Sequence, residues 1–117
     1  MTHEEELSLA YSLAASDREA FAEVFRLFYP KVLTFCRRFT NDSEVSKDIA
    51  QDVFVKLWNS RKRLVKVQSL DNWIFIIARN SVLDWLKSAS RRGVGLDSSR
   101  EIRLEETVLN ISIKSPE

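Results

Sequence analysis

Between Phe21 and Phe39, apolar side chains return every three or four residues: Phe21, Val24, Phe25, Phe28, Val32, Phe35, Cys36 and Phe39. That spacing gathers them on one side of an α-helix and would scatter them over both faces of a strand. A chain with such a stripe must bury one long helical face, and other helices are the natural cover. Composition agrees. Two Gly and two Pro in 117 residues are too few for the turns of a sandwich or barrel. With 44% hydrophobic residues the chain suffices for one domain whose core needs no disulfide or metal, and the single Cys36 can form no internal bridge. Pro30 interrupts the stripe; lacking a backbone donor, it predicts a kink or break near Phe28 to Tyr29.

Cap signals and periodicity outline the remaining helices. Thr2 and Glu5 form a capping box before Leu7, Ala10, Tyr11 and Ala14, predicting a first helix over about 4–15. Ser16 and Glu19 repeat the box ahead of the aromatic stripe, which runs to about Thr40. Asn41 to Glu44 offers capping oxygens, and Val45, Ile49, Val53 and Leu57 then predict a helix over about 43–60. The polar, basic stretch from Asn59 to Ser69 lacks a helical period and reads as an ordered connecting loop. Ser69 caps a fourth helix reaching about Ser90, where Arg91 and Arg92 suit the helix dipole and Gly93 can end it. The expected architecture is all-α: a compact bundle of about four helices over 1–92, followed over 93–117 by a flexible, linker-like C-terminal tail or a short helix of low stability.

Charge and motifs narrow the function. The net charge of +1 hides a segregation: −3 over residues 1–57, +6 over 61–92 and −2 over 93–117. The middle stretch is a candidate anion-facing surface. No apolar run reaches the roughly 18 residues of a membrane span, and the acidic start is unlike a secretory signal, so a cytoplasmic protein is expected. Asn110-Ile-Ser112 matches a glycosylation acceptor but, without a secretory signal, reads as chance. Catalysis has little to stand on. His3 sits at the chain start, Cys36 lies in an apolar stripe, and neither a phosphate-binding glycine loop nor metal-ligand spacing occurs. No enzyme activity, cofactor or metal is expected.

Two helices carry the informative faces. On the third, Asp48, Gln51, Asp52, Val55 and Asn59 share one side, while Ile49, Ala50, Val53, Phe54 and Leu57 share the other. A valine amid acidic and amide side chains is either an ordinary exposed residue or part of a docking face for a basic helical partner. On the fourth, Ile74, Ala78, Val82 and Trp85 form a core stripe, opposed by Trp73, Ile76, Ile77, Asn80, Leu83, Asp84 and Lys87. That second side fits a helix buried on two sides with a satisfied polar pair. It equally fits a surface where bases stack on an aromatic ring and bond to an amide, with Arg61, Lys62, Arg63, Lys66, Arg91 and Arg92 on phosphates.

The segment Asp48 to Trp58, a short basic loop, and Asn72 to Lys87 together resemble the second conserved region of extracytoplasmic-function (ECF) sigma factors, promoter-specificity subunits of bacterial RNA polymerase. The likeness spans about Asp17 to Arg92, with Phe21 to Phe28 similar to the opening aromatic helix of that region. It implies that Asp48, Gln51, Asp52 and Val55 dock on the clamp helices of the polymerase β′ subunit. The loop from Ser60 to Ser69 would then capture a base flipped from the non-template strand of the minus-ten promoter element. Trp73, Arg79 and Asn80 would read or support the opened strand. An anti-sigma protein is a further implied partner.

Two departures qualify the resemblance. Where housekeeping relatives carry adjacent aromatics that wedge the duplex, this chain has Ile76-Ile77, so melting should depend on a near-optimal promoter. Complete ECF members also continue into a helix-turn-helix domain, which residues 93–117 are too short to contain, so the chain is expected to be the first part of a longer protein. Two other readings stay open: a helical interaction module that docks on polymerase or an adaptor without touching DNA, and a nonspecific RNA-binding domain.

Overall fold

The computed structural model describes residues 1–91, without the side chains of Ser90 and Arg91; Arg92, Gly93 and the linker expected over 93–117 lie outside the described residues. Four α-helices follow in order, α1 (His3–Ala14), α2 (Arg18–Thr40), α3 (Ser43–Asn59) and α4 (Leu70–Arg91), with a short 3-10 segment, Arg61–Lys66, between α3 and α4. The all-α expectation holds, and each helix lies within about two residues of its predicted span.

Local chemistry explains the boundaries. Thr2 caps α1 by accepting from the Glu5 amide at 3.1 Å. α1 ends in a tight corner, where the Asp17 amide reaches back to the Ser12 carbonyl at 3.0 Å and Ser16 takes the left-handed conformation at φ 67°. This corner corrects the capping box expected at Ser16. Asp17 is the N-cap of α2 instead, accepting from the Glu19 and Ala20 amides at 2.9 and 3.3 Å. Asn41, at φ 53°, turns the chain out of α2, and Asp42 caps α3 through the Glu44 and Val45 amides.

Pro30 does not break α2, which runs through it without interruption. Both Pro30 and Arg26, whose carbonyl loses its partner at the proline, are exposed, so water can satisfy the freed acceptor. The apolar stripe on the other side of α2 remains continuous. Val24, Phe28, Val32, Phe35, Cys36 and Phe39 are buried, as are Ile49, Ala50, Val53, Phe54 and Leu57 of α3 and Leu70, Ile74, Ala78, Val82 and Leu86 of α4. α3 packs against both α2 and α4, while α1 lies chiefly on the 3-10 segment.

Cys36 is fully buried, and loss of solvation pushes its thiol up to about 12 from an ordinary 9.0. The unfolded chain therefore releases this proton first, and the thiol's contribution to stability is lost as pH rises from about 9 to about 12. In native protein at pH 8, reaction with a disulfide-exchange reagent is expected to be at least ~100-fold slower than in denaturing urea. The rise in rate should coincide with the urea unfolding transition.

Candidate functional site

The outer face of α3 follows from its inner one. Because Ile49, Ala50, Val53, Phe54 and Leu57 are buried, Asp48, Gln51, Asp52, Val55 and Asn59 stand in solvent, with Val55 55% exposed. On the inner side of α3, the Phe25 ring meets those of Phe54 and Tyr29 at centroid distances of 4.9 and 4.7 Å. Asp52 pairs with Lys56 at 3.0 Å, and the Lys56 ammonium also donates to the hydroxyl of Ser81 on α4 at 2.9 Å. The i, i+4 spacing of Asp52 and Lys56 was a usable sequence signal for the pair; nothing local announced Ser81.

The basic loop is more regular than its lack of period suggested. A 3-10 turn places the side chains of successive residues around a tight spiral, and Leu64, 1% exposed, is its plug into the core. Lys62, Arg63, Val65 and Lys66 are exposed around that plug. Arg61 is different. Its guanidinium lies 4.1 Å from the Trp58 ring centroid, donates to the Trp58 carbonyl at 2.9 Å, and donates through Nε to the Ser16 hydroxyl at 2.8 Å. A residue expected on phosphates is thus engaged within the chain.

α4 begins at a doubly capped end. Ser69 Oγ accepts from the Asn72 amide at 3.3 Å, as expected of a cap, and donates to Glu6 of α1 at 3.3 Å. The same Glu6 oxygen accepts from the Asp71 amide at 2.9 Å. A carboxylate here faces the positive end of the helix dipole. Burial pushes the Asp71 carboxyl above its ordinary range, with Lys31 opposing the shift and Glu6 adding to it. Asp71 Oδ1, Asn72 Oδ1 and Trp73 Nε1 are buried without a hydrogen-bond partner among the described residues.

Further along α4, Ile74, Ala78 and Val82 are buried as the core stripe, with Trp85 half-buried. The opposite side is not buried on both flanks. Ile76 is 41% exposed, Asn80, Asp84 and Lys87 are exposed, and Trp73, Ile77, Arg79 and Leu83 are half-buried. Arg79 donates to the Asn80 side-chain carbonyl at 2.9 Å, which orients the amide and leaves its two donors for another acceptor. Arg91 closes the helix, but its side chain, like all of Arg92, lies outside the described residues.

Among the described residues, no group of three or more His, Cys, Asp and Glu could hold a metal ion, and no helix is long and apolar enough to cross a membrane. Arg61 and Lys62 separate cleanly by stability. Arg61→Ala removes a stacked contact and two hydrogen bonds and should cost about 1–2 kcal/mol in urea unfolding, whereas the exposed Lys62→Ala should stay within about 0.5 kcal/mol.

Comparison with known proteins gives this arrangement a lineage. The chain is 36% identical over 72 residues to the ECF RNA polymerase sigma factor RpoE of Cereibacter sphaeroides, a match covering 61% of this chain and 40% of that protein. It is 30% identical over 70 residues to the RNA polymerase sigma factor YlaC of Bacillus subtilis, covering 60% and 40%. A match to the RNA polymerase sigma-H factor of Pseudomonas aeruginosa is 25% identical over 101 residues, covering 86% and 52%. The chain thus spans about half or less of the length of these relatives. No solved structure matches it. Residues 24–92, more than half of the chain and including α3, the basic 3-10 segment and α4, match the family described as Sigma-70 region 2, and the chain belongs to that family.

Proposed function

We propose that this chain is the part of an ECF-type transcription initiation factor that docks on RNA polymerase and recognises and opens the minus-ten promoter element. The observation that carries the reading is the division of one packed unit into two exposed faces. The outer face of α3 is acidic around an exposed Val55, and the 3-10 segment with the outer side of α4 is basic and apolar around Asn80.

On this reading Asp48, Gln51, Asp52 and Val55 meet the β′ clamp helices. Lys62, Arg63 and Lys66 hold the phosphates of the non-template strand, joined by Arg91 and Arg92 at the end of α4, and supply affinity that is sensitive to salt and blind to sequence. Trp73, Arg79 and Asn80 meet the bases. Arg61, held by Trp58 and Ser16, positions the loop rather than a phosphate. Opening the duplex requires no catalysis by this chain: capture of a flipped base offsets an unstacking cost of a few kcal/mol. Ile76, exposed where housekeeping relatives carry an aromatic wedge, offers a weaker one. The role places the protein in the cytoplasm, with an anti-sigma protein as the regulator that would cover one of the two faces.

The test uses core polymerase rebuilt with the whole protein, first to select a preferred minus-ten strand and then to bind it. Val55→Glu is expected to weaken clamp-helix binding at least about tenfold while single-strand binding by the chain is unchanged. Lys62→Ala with Lys66→Ala should do the reverse, lowering strand affinity and reducing the slope of log K against log salt by about 1.4. If the lysine pair has no effect on DNA while Val55→Glu still releases polymerase, the interaction module without DNA binding is the better reading. Equal affinity for selected and scrambled strands in the rebuilt enzyme would point to nonspecific binding of single strands.

A further inference from the structure

We infer that α1 is a strap that holds the basic 3-10 segment in its reading conformation, with Glu6 and Arg61 as the positioning residues. α1 lies before the residues that match the family, which begin at 24, so membership alone assigns it no role. The inference rests on the proposed reading of the 3-10 segment as a strand-binding loop.

The segment from Ser60 to Ser69 has little of its own to hold it. Leu64 is its one buried side chain, and the backbone bonds from Ser60 to Lys56 at 3.0 Å, Arg63 to Ser60 at 3.0 Å, Val67 to Leu64 at 3.2 Å and Trp73 to Ser69 at 3.1 Å are all local. Without outside contacts such a stretch would sample many conformations. Both of its ends are fastened, and both fastenings lead to the first helix. At the entrance, Arg61 reaches Ser16, the left-handed residue of the corner that ends α1, from a seat on the Trp58 ring. At the exit, Glu6 of α1 bonds both the Ser69 hydroxyl and the Asp71 amide. Between the two fastenings, α1 packs on the 3-10 segment more than on any other element.

The side chains that would touch phosphates, Lys62, Arg63 and Lys66, take no part in either fastening. Releasing the strap therefore leaves the charge of the loop in place and removes only its shape. Affinity for any single strand should survive, since phosphate attraction carries no sequence information, and discrimination between strands should not.

Two substitutions in the whole protein isolate the fastenings. Ser16→Gly removes the hydroxyl that Arg61 bonds while suiting the positive φ of the corner, and Glu6→Ala removes the other acceptor. Combined, they are expected to speed hydrogen exchange at the Arg63 and Val67 amides by about tenfold or more, with the central amides of α2 and α3 unchanged. The preference for the polymerase-selected strand over a scrambled one should fall by about tenfold, with the salt slope unaltered. Glu6→Gln, which keeps an acceptor oxygen, should restore protection at the exit end.

Unchanged exchange in the loop would overturn the strap, and so would a uniform loss of protection through α2, α3 and α4, which would mark α1 as ordinary core cover. If the unaltered protein shows no preference between strands, the proposed function fails, while the exchange pattern still decides whether α1 holds the loop.

Discussion

The packing of one stripe on α3 sets the terms for everything around it. Ile49, Ala50, Val53, Phe54 and Leu57 must all be dehydrated together, and α2 on one side and α4 on the other provide most of the cover. Each of the four larger side chains contributes about 1.5–3 kcal/mol when fully buried, so rotating the helix to expose the stripe would cost more than the domain could spare. Once the inner face is seated, the 3.6-residue period dictates the outer one, and Asp48, Gln51, Asp52 and Val55 have no choice but to face solvent. At the far end of the same helix, Trp58 packs edge-on against Phe21 at 5.2 Å and carries Arg61 on its ring. The core stripe thus also decides where the basic segment starts.

The same seating explains how a nearly neutral chain can present two fields of opposite sign. From Asp48 to Asn59 at the end of α3 is about 16–17 Å at 1.5 Å per residue. That exceeds the screening length of about 8 Å at physiological ionic strength, so the acidic face and the basic segment are felt separately by partners. Lys56 pairs with Asp52 and donates to the hydroxyl of the buried Ser81, a link between α3 and α4.

Much of this was legible in the residues. The apolar periods located all four helices, and the wheel of α3 placed every member of its two faces correctly, because a helix with one apolar side can be buried in only one way. Thr2 and Ser69 were readable as caps because a cap bonds its own next turn. The misreadings have equally specific causes. Ser16 looked like a cap by its spacing to Glu19, but the short corner forced it into a left-handed turn and passed the capping role to Asp17. Pro30 looked like a break, but on an exposed side of α2 its cost falls on solvent rather than on the core. The 3-10 segment looked like a loop because its tighter spiral leaves no 3.6-residue signature, and only Leu64 hinted at a buried anchor. For the outer side of α4, the pattern alone left two readings equal, since an apolar residue such as Ile76 is compatible with either burial or exposure.

What the sequence determined alone is therefore everything set by near neighbours: helix spans, caps, which side of each helix is apolar, and the separation of acidic from basic stretches. Local spacing carries that information because an α-helix relates residues three and four apart by fixed geometry. What only the tertiary structure decided is how the basic segment is held. Arg61 and Ser16 stand 45 residues apart, and Glu6 and Asp71 stand 65 apart. No pattern within either neighbourhood marks Arg61 as a partner of Ser16, or Glu6 as an acceptor for the Asp71 amide at the start of a distant helix. Those bonds exist because α1 packs on the 3-10 segment and on α4, which brings Glu6 to the start of α4 and the corner after α1 to Arg61.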